Sequence, residues 1–229
     1  MRRGYAAALV LDVALTVVVR SLFVSFCLAA LTCAITPPAR ADVPSPRNST
    51  TPHCISVLGY DASGVLDPIG EFTVIERDLA NQPIRNGLIV LDFSVCPELR
   101  FCADQHQPGV FVDCPTRTVR RFTDTNGRAT FRVAGWFVPT NPHPDNSAKI
   151  FADGVLLGRP SVQIYDLDGN GLGAADLSLW LAALFSGNNP PRGDYDCSGS
   201  LGTSDLSQWL TVYFANGSPA NCSPAEVCP

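Results

Sequence analysis

The chain has 229 residues, of which 46% are hydrophobic and 16% are charged, with nine cysteines and a formal net charge of −5. This composition is that of one or two globular domains with a core, and it excludes a wholly disordered chain. The acid excess lies at the C-terminal end, where Arg192 is the only basic residue among six Asp and one Glu from residue 160 onward. Such a segment is unsuited to nucleic acid or anionic lipid, and its carboxylates indicate a cation instead.

The first 41 residues are typical of an export signal. Two arginines precede apolar runs over residues 6–19 and 21–35, and small residues stand at the two positions that a signal peptidase reads, ending in Ala41. A retained membrane anchor is the alternative, but Asp12 and Arg20 divide the stretch, and neither half reaches the roughly 20 apolar residues of a spanning helix. We expect cleavage after Ala41, no membrane span in the mature chain, and a secreted, extracellular or cell-surface location.

Seven cysteines follow the expected cleavage position. In an exported protein they are expected to form disulfides rather than to bind metal, because the chain has no C-x-x-C pair and only three histidines. An odd number leaves one thiol free or joined to another chain. The seven are Cys54, Cys96, Cys102, Cys114, Cys197, Cys222 and Cys228.

Residues 42–53 are rich in Pro, Ser and Thr and predict a flexible leader, with order beginning near Cys54. Short β-prone runs separated by turn residues follow, and seven or eight strands without a helical period favour a β-sandwich over residues 54–159. The predicted strands are Cys54-Leu58, Glu71-Arg77, Leu88-Ser94, Gly109-Asp113, Thr116-Thr123, Ala129-Val133, Lys149-Ala152 and Ser161-Tyr165.

Two turns refine this expectation. One runs from Asp78 to Pro83-Ile84, and the other contains Asn126-Gly127, a dipeptide that predicts a hairpin because both residues tolerate positive φ. The patterns D-x-x-x-x-P-I and T-D-x-x-G-x-A-x-F resemble bacterial immunoglobulin-like domains of the invasin/intimin type. The resemblance implies an Ig-like β-sandwich, although the insertion between Cys96 and Cys114 departs from the simplest version of that pattern.

The strongest signal is an internal duplication, in which both copies end in D-L-S-x-W-L-x-x-x-F. Oxygen ligands at loop positions 1, 3 and 5, a glycine at 6, a backbone carbonyl at 7 and a carboxylate at 12 wrap one Ca²⁺. The sequence therefore predicts two calcium sites. The candidate ligands are Asp166, Asp168, Asn170, Leu172 and Asp176 in the first loop, and Asp194, Asp196, Ser198, Ser200 and Asp205 in the second.

The first loop is one residue shorter than the second, with the gap after Gly171 near the carbonyl-donating position. Leu172 is therefore an uncertain ligand, and we expect weaker or altered binding in this loop. The alternative is that the first loop is a vestigial Asx-rich turn that caps its helix.

Aspartate at position 12 and a single helix after each loop resemble the type I dockerin family over about Tyr165 to Gly217, within a module that we place at residues 160–217. The resemblance implies a loop-helix module that binds cohesin domains in the presence of calcium, with loop positions 10 and 11 choosing the partner. Those positions hold Ala174 and Ala175 in the first copy and Thr203 and Ser204 in the second, so the second helix is expected to dominate. At position 4, Cys197 points away from the ion, and we expect a disulfide to Cys222 or Cys228 in the Cys-containing tail, residues 218–229.

Apolar residues recur at helical spacing after each loop and predict two faces that pack the helices together. A sugar-binding role for the two tryptophans is a less favoured alternative. The residues are Leu177, Trp180, Leu181, Leu184 and Phe185, and then Leu206, Trp209, Leu210, Tyr213 and Phe214.

No catalytic motif is visible, and His53, His106 and His143 lie at no metal-ligand spacing, so we expect a non-catalytic protein. Two functions from different classes remain. The first is a secreted adaptor that docks on a cohesin-type partner, with a role in polysaccharide breakdown. The second is a calcium-stabilised structural end module of an exported or surface protein. A carbohydrate-binding sandwich is a minor alternative.

Overall fold

The computed structural model describes residues 42–58, 68–138, 147–187, 191–216 and Cys228. The predicted export signal, residues 1–41, lies outside these residues, as does the tail except for Cys228. Residues 42–229 form one compact unit. In the described residues, neither helix has the length and apolar character needed to cross a bilayer.

Strands dominate the first part of the described chain, and two helices follow them. This arrangement confirms the prediction of a mainly β protein with a small helical part. The strands are β1 (Cys54–Leu58), β2 (Phe72–Ile75), β3 (Leu88–Asp92), β4 (Leu99–Phe101), β5 (Val110–Asp113), β6 (Thr118–Phe122), β7 (Arg128–Phe131), β8 (Val133–Phe137), β9 (Lys149–Ala152), β10 (Val155–Gly158) and β11 (Ser161–Ile164); the helices are α1 (Ala174–Ser186) and α2 (Thr203–Asn216). Every predicted run holds a strand, whereas β4, β8 and β10 were not predicted.

The strands form two larger sheets and a two-stranded pair. One sheet is antiparallel with the order β10-β9-β3-β6-β5, and the other has the order β11-β1-β8-β4. In the second sheet β1 runs parallel to both of its neighbours, with Val57 beside Ile164 on one side and Val133 on the other. The pair consists of β2 and β7.

Both larger sheets contribute side chains to one hydrophobic core. Alternate residues of β3, Ile89 and Leu91, are fully buried, as expected when successive side chains point to opposite faces of a strand. Phe101 of β4 packs against Phe93 with ring centroids 5.9 Å apart.

Residues 42–53, predicted as a leader, are hydrogen-bonded to the chain around β2. Pro44 pairs with Asp78 and Thr50 with Ile75, and the Ser45 amide donates to the Arg77 carbonyl at 2.8 Å. These bonds satisfy the backbone of a segment whose composition alone gives no strand signal.

The Asn126-Gly127 turn forms, but it does not connect two strands of one sheet. Gly127 has a φ of 71°, and the Asp124 carboxylate accepts the Asn126 and Arg128 amides. The preceding strand β6 belongs to the five-stranded sheet, while β7 pairs with β2. The hairpin expected from the dipeptide is therefore wrong, because the turn passes the chain from one sheet to another.

The disulfides differ from the expected pairing. Cys197 is bonded to Cys54, and Cys228 to Cys114, so the predicted link from Cys197 to the tail is wrong. Cys228 is instead fully buried in the sheet core, where its amide donates to the Phe101 carbonyl at 3.0 Å. Cys102 is also disulfide-bonded, and Cys96 is a buried free thiol.

Candidate metal centre

The chain folds each predicted loop into a compact cluster of three carboxylates. Asp166, Asp168 and Asp176 form one cluster, and Asp194, Asp196 and Asp205 form the other. In each cluster one oxygen from every carboxylate lies within 4.8 Å of the others. The first and last aspartates of each loop are buried, which is rare for carboxylates without a charge partner or metal.

The second loop is wound around its first aspartate. The Asp194 carboxylate accepts the Ser198 amide at 2.9 Å and the Gly199 amide at 2.7 Å. Asp205, in the first turn of α2, accepts the Asp196 amide at 3.0 Å and the Gly202 amide at 2.8 Å. The Ser198 hydroxyl lies 3.1 Å from the Ser200 carbonyl, so the oxygens predicted for positions 5 and 7 are neighbours.

The first loop repeats this pattern. Asp166 accepts the Gly169 amide at 2.7 Å and the Gly171 amide at 3.0 Å. Asp176 accepts the Leu167 amide at 2.6 Å and the Gly173 amide at 2.7 Å, and these bonds tie the start of α1 to its loop. The Asn170 side-chain amide donates to Asp168 at 2.7 Å, so the predicted ligand at position 5 contacts the one at position 3.

The position of the missing residue follows from comparing the loops. Gly173 and Gly202 donate equivalent hydrogen bonds to the closing aspartates, and the residues before them, Leu172 and Leu201, are both buried. Leu172 therefore corresponds to Leu201, and the first loop lacks a counterpart of Ser200. The Leu172 carbonyl therefore corresponds to position 8 of the loop, as Leu201 does, and not to position 7, which is predicted to donate the carbonyl ligand.

Burial and mutual repulsion shape the acidity of both clusters. Burial raises the pKa of Asp176, the amides of Gly173 and Leu167 lower it, and the nearby charges of Asp166 and Asp168 raise it. Burial likewise raises the pKa of Asp194, whereas a hydrogen bond from the Ser198 hydroxyl lowers the pKa of exposed Asp196. A divalent cation would relieve this repulsion among desolvated carboxylates.

The helices bury their tryptophans against the loops. Trp180 and Trp209 are each 1% exposed and lie in one apolar cluster with Leu172 and Leu201. The indole nitrogen of Trp180 donates to the Gly193 carbonyl at 3.0 Å, so the helix after the first loop holds the entry to the second.

Two aromatic residues predicted to pack are instead exposed, Phe185 to 82% and Phe214 to 78%. Each lies five residues after its tryptophan, which is about 140° around the helix at about 100° per residue. The packing prediction was wrong for these two residues. The other eight predicted residues lie in the cluster or against it.

The predicted partner-binding residues Ala174, Ala175, Thr203 and Ser204 are all exposed at the helix starts. The exposed positions of the two helices are uncharged, because their only charged residues, Asp176 and Asp205, are buried. Exposed Asp196 of the second loop nevertheless lies beside them and accepts a hydrogen bond from the Ser204 side chain. The exposed positions hold Ala, Ser, Thr, Leu and Phe. Surface helices are ordinarily charged on their solvent side, so this face is unusual.

Two contacts of the site were not predicted. Tyr165 and Tyr195, which flank the first aspartates of the two loops, stack with ring centroids 4.1 Å apart. The Cys54–Cys197 disulfide joins the second loop to β1. The sequence feature that could have indicated the disulfide is Cys197 at position 4 of the second loop, where the first loop has Gly169.

The donor set fits a hard divalent cation, because carboxylate, amide, hydroxyl and carbonyl oxygens are the ligands that Ca²⁺ prefers. The single basic residue of the segment, Arg192, cannot neutralise six carboxylates. No protein-family model matches the chain, and no curated protein or solved structure matches it significantly.

Proposed function

We propose that the chain is an exported, non-catalytic calcium-binding protein whose loop-helix module, residues 160–217, holds one Ca²⁺ in each loop. The observation that carries this proposal is the convergence of three carboxylates at equivalent positions of both repeats. A single acidic cluster would be weak support. Two clusters whose aspartates occupy equivalent loop positions, each with two buried aspartates, support a common ligand.

Calcium would act on the stability of the module. Without a cation, each loop confines three carboxylates that repel one another, and its buried pair is desolvated at a cost. Bound calcium offsets both effects and fixes the loop to the first turn of its helix through Asp176 or Asp205. The ion is thus expected to favour folded helices.

Calcium titration of the whole protein tests the proposal. We expect saturable binding heat and a rise in helix content or melting temperature, all reduced when Asp194→Ala and Asp205→Ala are combined. Glu71→Gln with Asp113→Asn serves as a matched control, because it removes two carboxylates that form ion pairs outside the loops. A protein with the same helix content and melting temperature in calcium and in chelator, and no binding heat, would rule the proposal out.

The uncharged outer face of the helices favours a second function, docking on a cohesin-type protein by a dockerin-like module that an Ig-like β-sandwich carries. The lack of charged residues at the exposed positions of the helices and the two exposed phenylalanines, Phe185 and Phe214, are suited to a protein interface. The competing function is a structural end module with no cohesin partner.

Binding to a panel of purified cohesin domains separates the two. Docking predicts a complex that forms in calcium, dissociates in chelator, and is lost with Thr203→Arg. Ala174→Arg, at the equivalent position of the first helix, is the matched control and should have the smaller effect if the second helix dominates. A calcium-loaded protein that binds no cohesin would favour the structural end module.

A further inference from the structure

The second metal loop is covalently tied to the large β unit. Cys197 lies between two candidate ligands, Asp196 and Ser198, and is bonded to Cys54, the first residue of β1, 143 residues earlier. The first loop has no such bond, because Gly169 occupies the equivalent position.

The bonded residue has a backbone conformation that ordinary side chains avoid. Cys197 has a φ of 59°, and Gly169 has a φ of 80° at the same loop position. Glycine adopts this left-handed region freely, whereas other residues lose roughly 1 kcal/mol or more there. In the second loop, the turn therefore lacks the glycine that makes it easy to form.

This turn controls where the ligands lie. The Cys197 amide donates to the Asp194 carbonyl at 3.3 Å, and the next amide, that of Ser198, donates to the carboxylates of both Asp194 and Asp196. Loss of the left-handed conformation at Cys197 would move the Ser198 amide away from both carboxylates and leave the Gly199 amide as the one backbone donor to Asp194 among the described residues.

We propose that the Cys54–Cys197 disulfide is a positioning device for the second metal loop, so that oxidation of this cysteine pair and binding of Ca²⁺ favour each other. The proposal rests on calcium binding at this loop. The crosslink excludes open conformations of the metal-free loop. The loop therefore loses less conformational entropy when the ion binds, and calcium affinity is higher. Because the coupling is reciprocal, bound calcium stabilises the disulfide against reduction by the same free energy.

The redox step is a two-electron exchange. A dithiol reductant such as dithiothreitol supplies two electrons and two protons, the Cys54–Cys197 bond breaks to two thiols, and the reductant closes to its own disulfide. Calcium affinity at the second loop is accordingly low in a reducing compartment and rises after export into an oxidising one. The first loop is insensitive to this change.

The test compares variants of the full chain. Calcium affinities are measured by calorimetry and assigned to the loops by the amide NMR signals of Gly171 and Gly199. With Cys54→Ser and Cys197→Ser combined, we expect affinity at the second loop to fall about tenfold, within the usual range of coupling between sites, with the first loop unchanged. Combining Cys54→Ser with Cys197→Gly should restore part of the loss, because glycine recovers the turn without the crosslink.

The matched control is Cys114→Ser with Cys228→Ser, which removes the other described disulfide and should leave the second loop unaffected. If it weakens the second loop equally, or if the Cys54–Cys197 variant binds as tightly as the parent, the positioning role is refuted while calcium binding stands. Failure of both loops of the oxidised parent to bind calcium would instead overturn the proposed function.

A measurement on the unaltered protein covers the case of a variant that does not fold. The reduction potential of Cys54–Cys197 should be lower in calcium than in chelator, by about 30 mV for tenfold coupling. The shift should vanish when Asp194→Asn and Asp205→Asn are combined. Equal potentials in calcium and chelator would refute the coupling.

Discussion

Tyr195 stacks on Tyr165 at a centroid distance of 4.1 Å, and its hydroxyl donates to the carbonyl of Ile164 at 3.2 Å. Tyr165 directly precedes the first acidic loop, and Tyr195 lies inside the second. Their contact joins the two loops at the end of β11.

Replacing Tyr195 distinguishes the contribution of the ring stack from that of the hydroxyl hydrogen bond. Tyr195→Phe keeps the ring but leaves the buried Ile164 carbonyl without this donor, which should cost about 1 to 3 kcal/mol of unfolding free energy. Urea denaturation measures the loss. Tyr213→Phe, at a partly buried tyrosine of α2, is the control, and an equal loss in both variants would contradict the role of the Tyr195 hydroxyl.

The two tryptophans offer a matched pair. Trp180 donates a hydrogen bond to Gly193, whereas the indole nitrogen of equally buried Trp209 finds no acceptor among the described residues. Trp180→Phe should therefore lower the unfolding free energy by about 1 to 3 kcal/mol more than Trp209→Phe does. Similar losses in the two variants, measured by guanidinium unfolding, would contradict this assignment.

Lengthening the first loop tests the account of its missing residue. Serine inserted between Gly171 and Leu172 would supply a backbone carbonyl equivalent to that of Ser200, the proposed ligand at position 7 of the second loop. We expect calcium affinity at the first loop to rise by about tenfold, or about 1.4 kcal/mol. Glycine inserted at the same place should work as well, because the ligand is a backbone atom. Calorimetry that finds unchanged or weaker binding for both insertions would disprove the alignment.

Glu76 should make stability depend on pH. Its carboxyl is fully buried, and neither of its oxygens is hydrogen-bonded to a described residue. Burial, and then the charges of Asp153 and Asp42, raise its pKa from 4.5 to about 7. The raised pKa favours the folded state fully below pH 4.5, and that contribution is lost as the pH rises to about 7, by up to about 3 kcal/mol.

Glu76→Gln removes this titration. We expect the decline in unfolding free energy between pH 4.5 and pH 7 to shrink in this variant, leaving it more stable than the parent above that range. Urea unfolding across the range provides the measurement, with Glu71→Gln as a control at a half-exposed glutamate. Parallel pH profiles for the parent and Glu76→Gln would exclude the buried carboxyl as the cause.

Cys96 should be chemically inert in the native protein. Burial, and then the charge of Glu98, raise the pKa of its thiol to about 12, so the reactive thiolate is scarce at neutral pH. Iodoacetamide followed by peptide mapping should leave Cys96 unmodified until guanidinium unfolds the chain. Fast labelling of this residue under native conditions would contradict its burial.

The loops were predictable because their chemistry is local. In each loop, the first and last aspartates are separated by about a dozen residues or fewer, so their spacing alone predicts that they meet. A backbone that must turn back on itself over so short a distance has few possible conformations. These aspartates are Asp166 and Asp176 in the first loop, and Asp194 and Asp205 in the second. The short strands were similarly visible from alternation and turn residues. The calcium ligands remain a prediction, because carboxylates can cluster without an ion.

What the sequence concealed depends on contacts between distant segments. The partner of Cys197 lies 143 residues away, beyond any local pattern. The Asn126-Gly127 turn likewise does not reveal that β6 and β7, the strands on either side of it, join different sheets. That outcome depends on distant strands, because β6 pairs with β3 and β7 pairs with β2. Phe185 and Phe214 match the apolar spacing of a helix in the sequence. Each is nevertheless rotated about 140° around its helix from the buried tryptophan, which places it outside the packed face.

The two described disulfides interlock along the chain, since Cys54–Cys197 and Cys114–Cys228 overlap between residues 114 and 197. A single peptide-bond cleavage anywhere between Cys54 and Cys228 therefore leaves both fragments covalently joined. A protease that nicks the chain once in this span releases no piece of it, and electrophoresis without reductant would show one band of undiminished mass. The first cut would therefore not separate the helical module from the sheets to which it is joined.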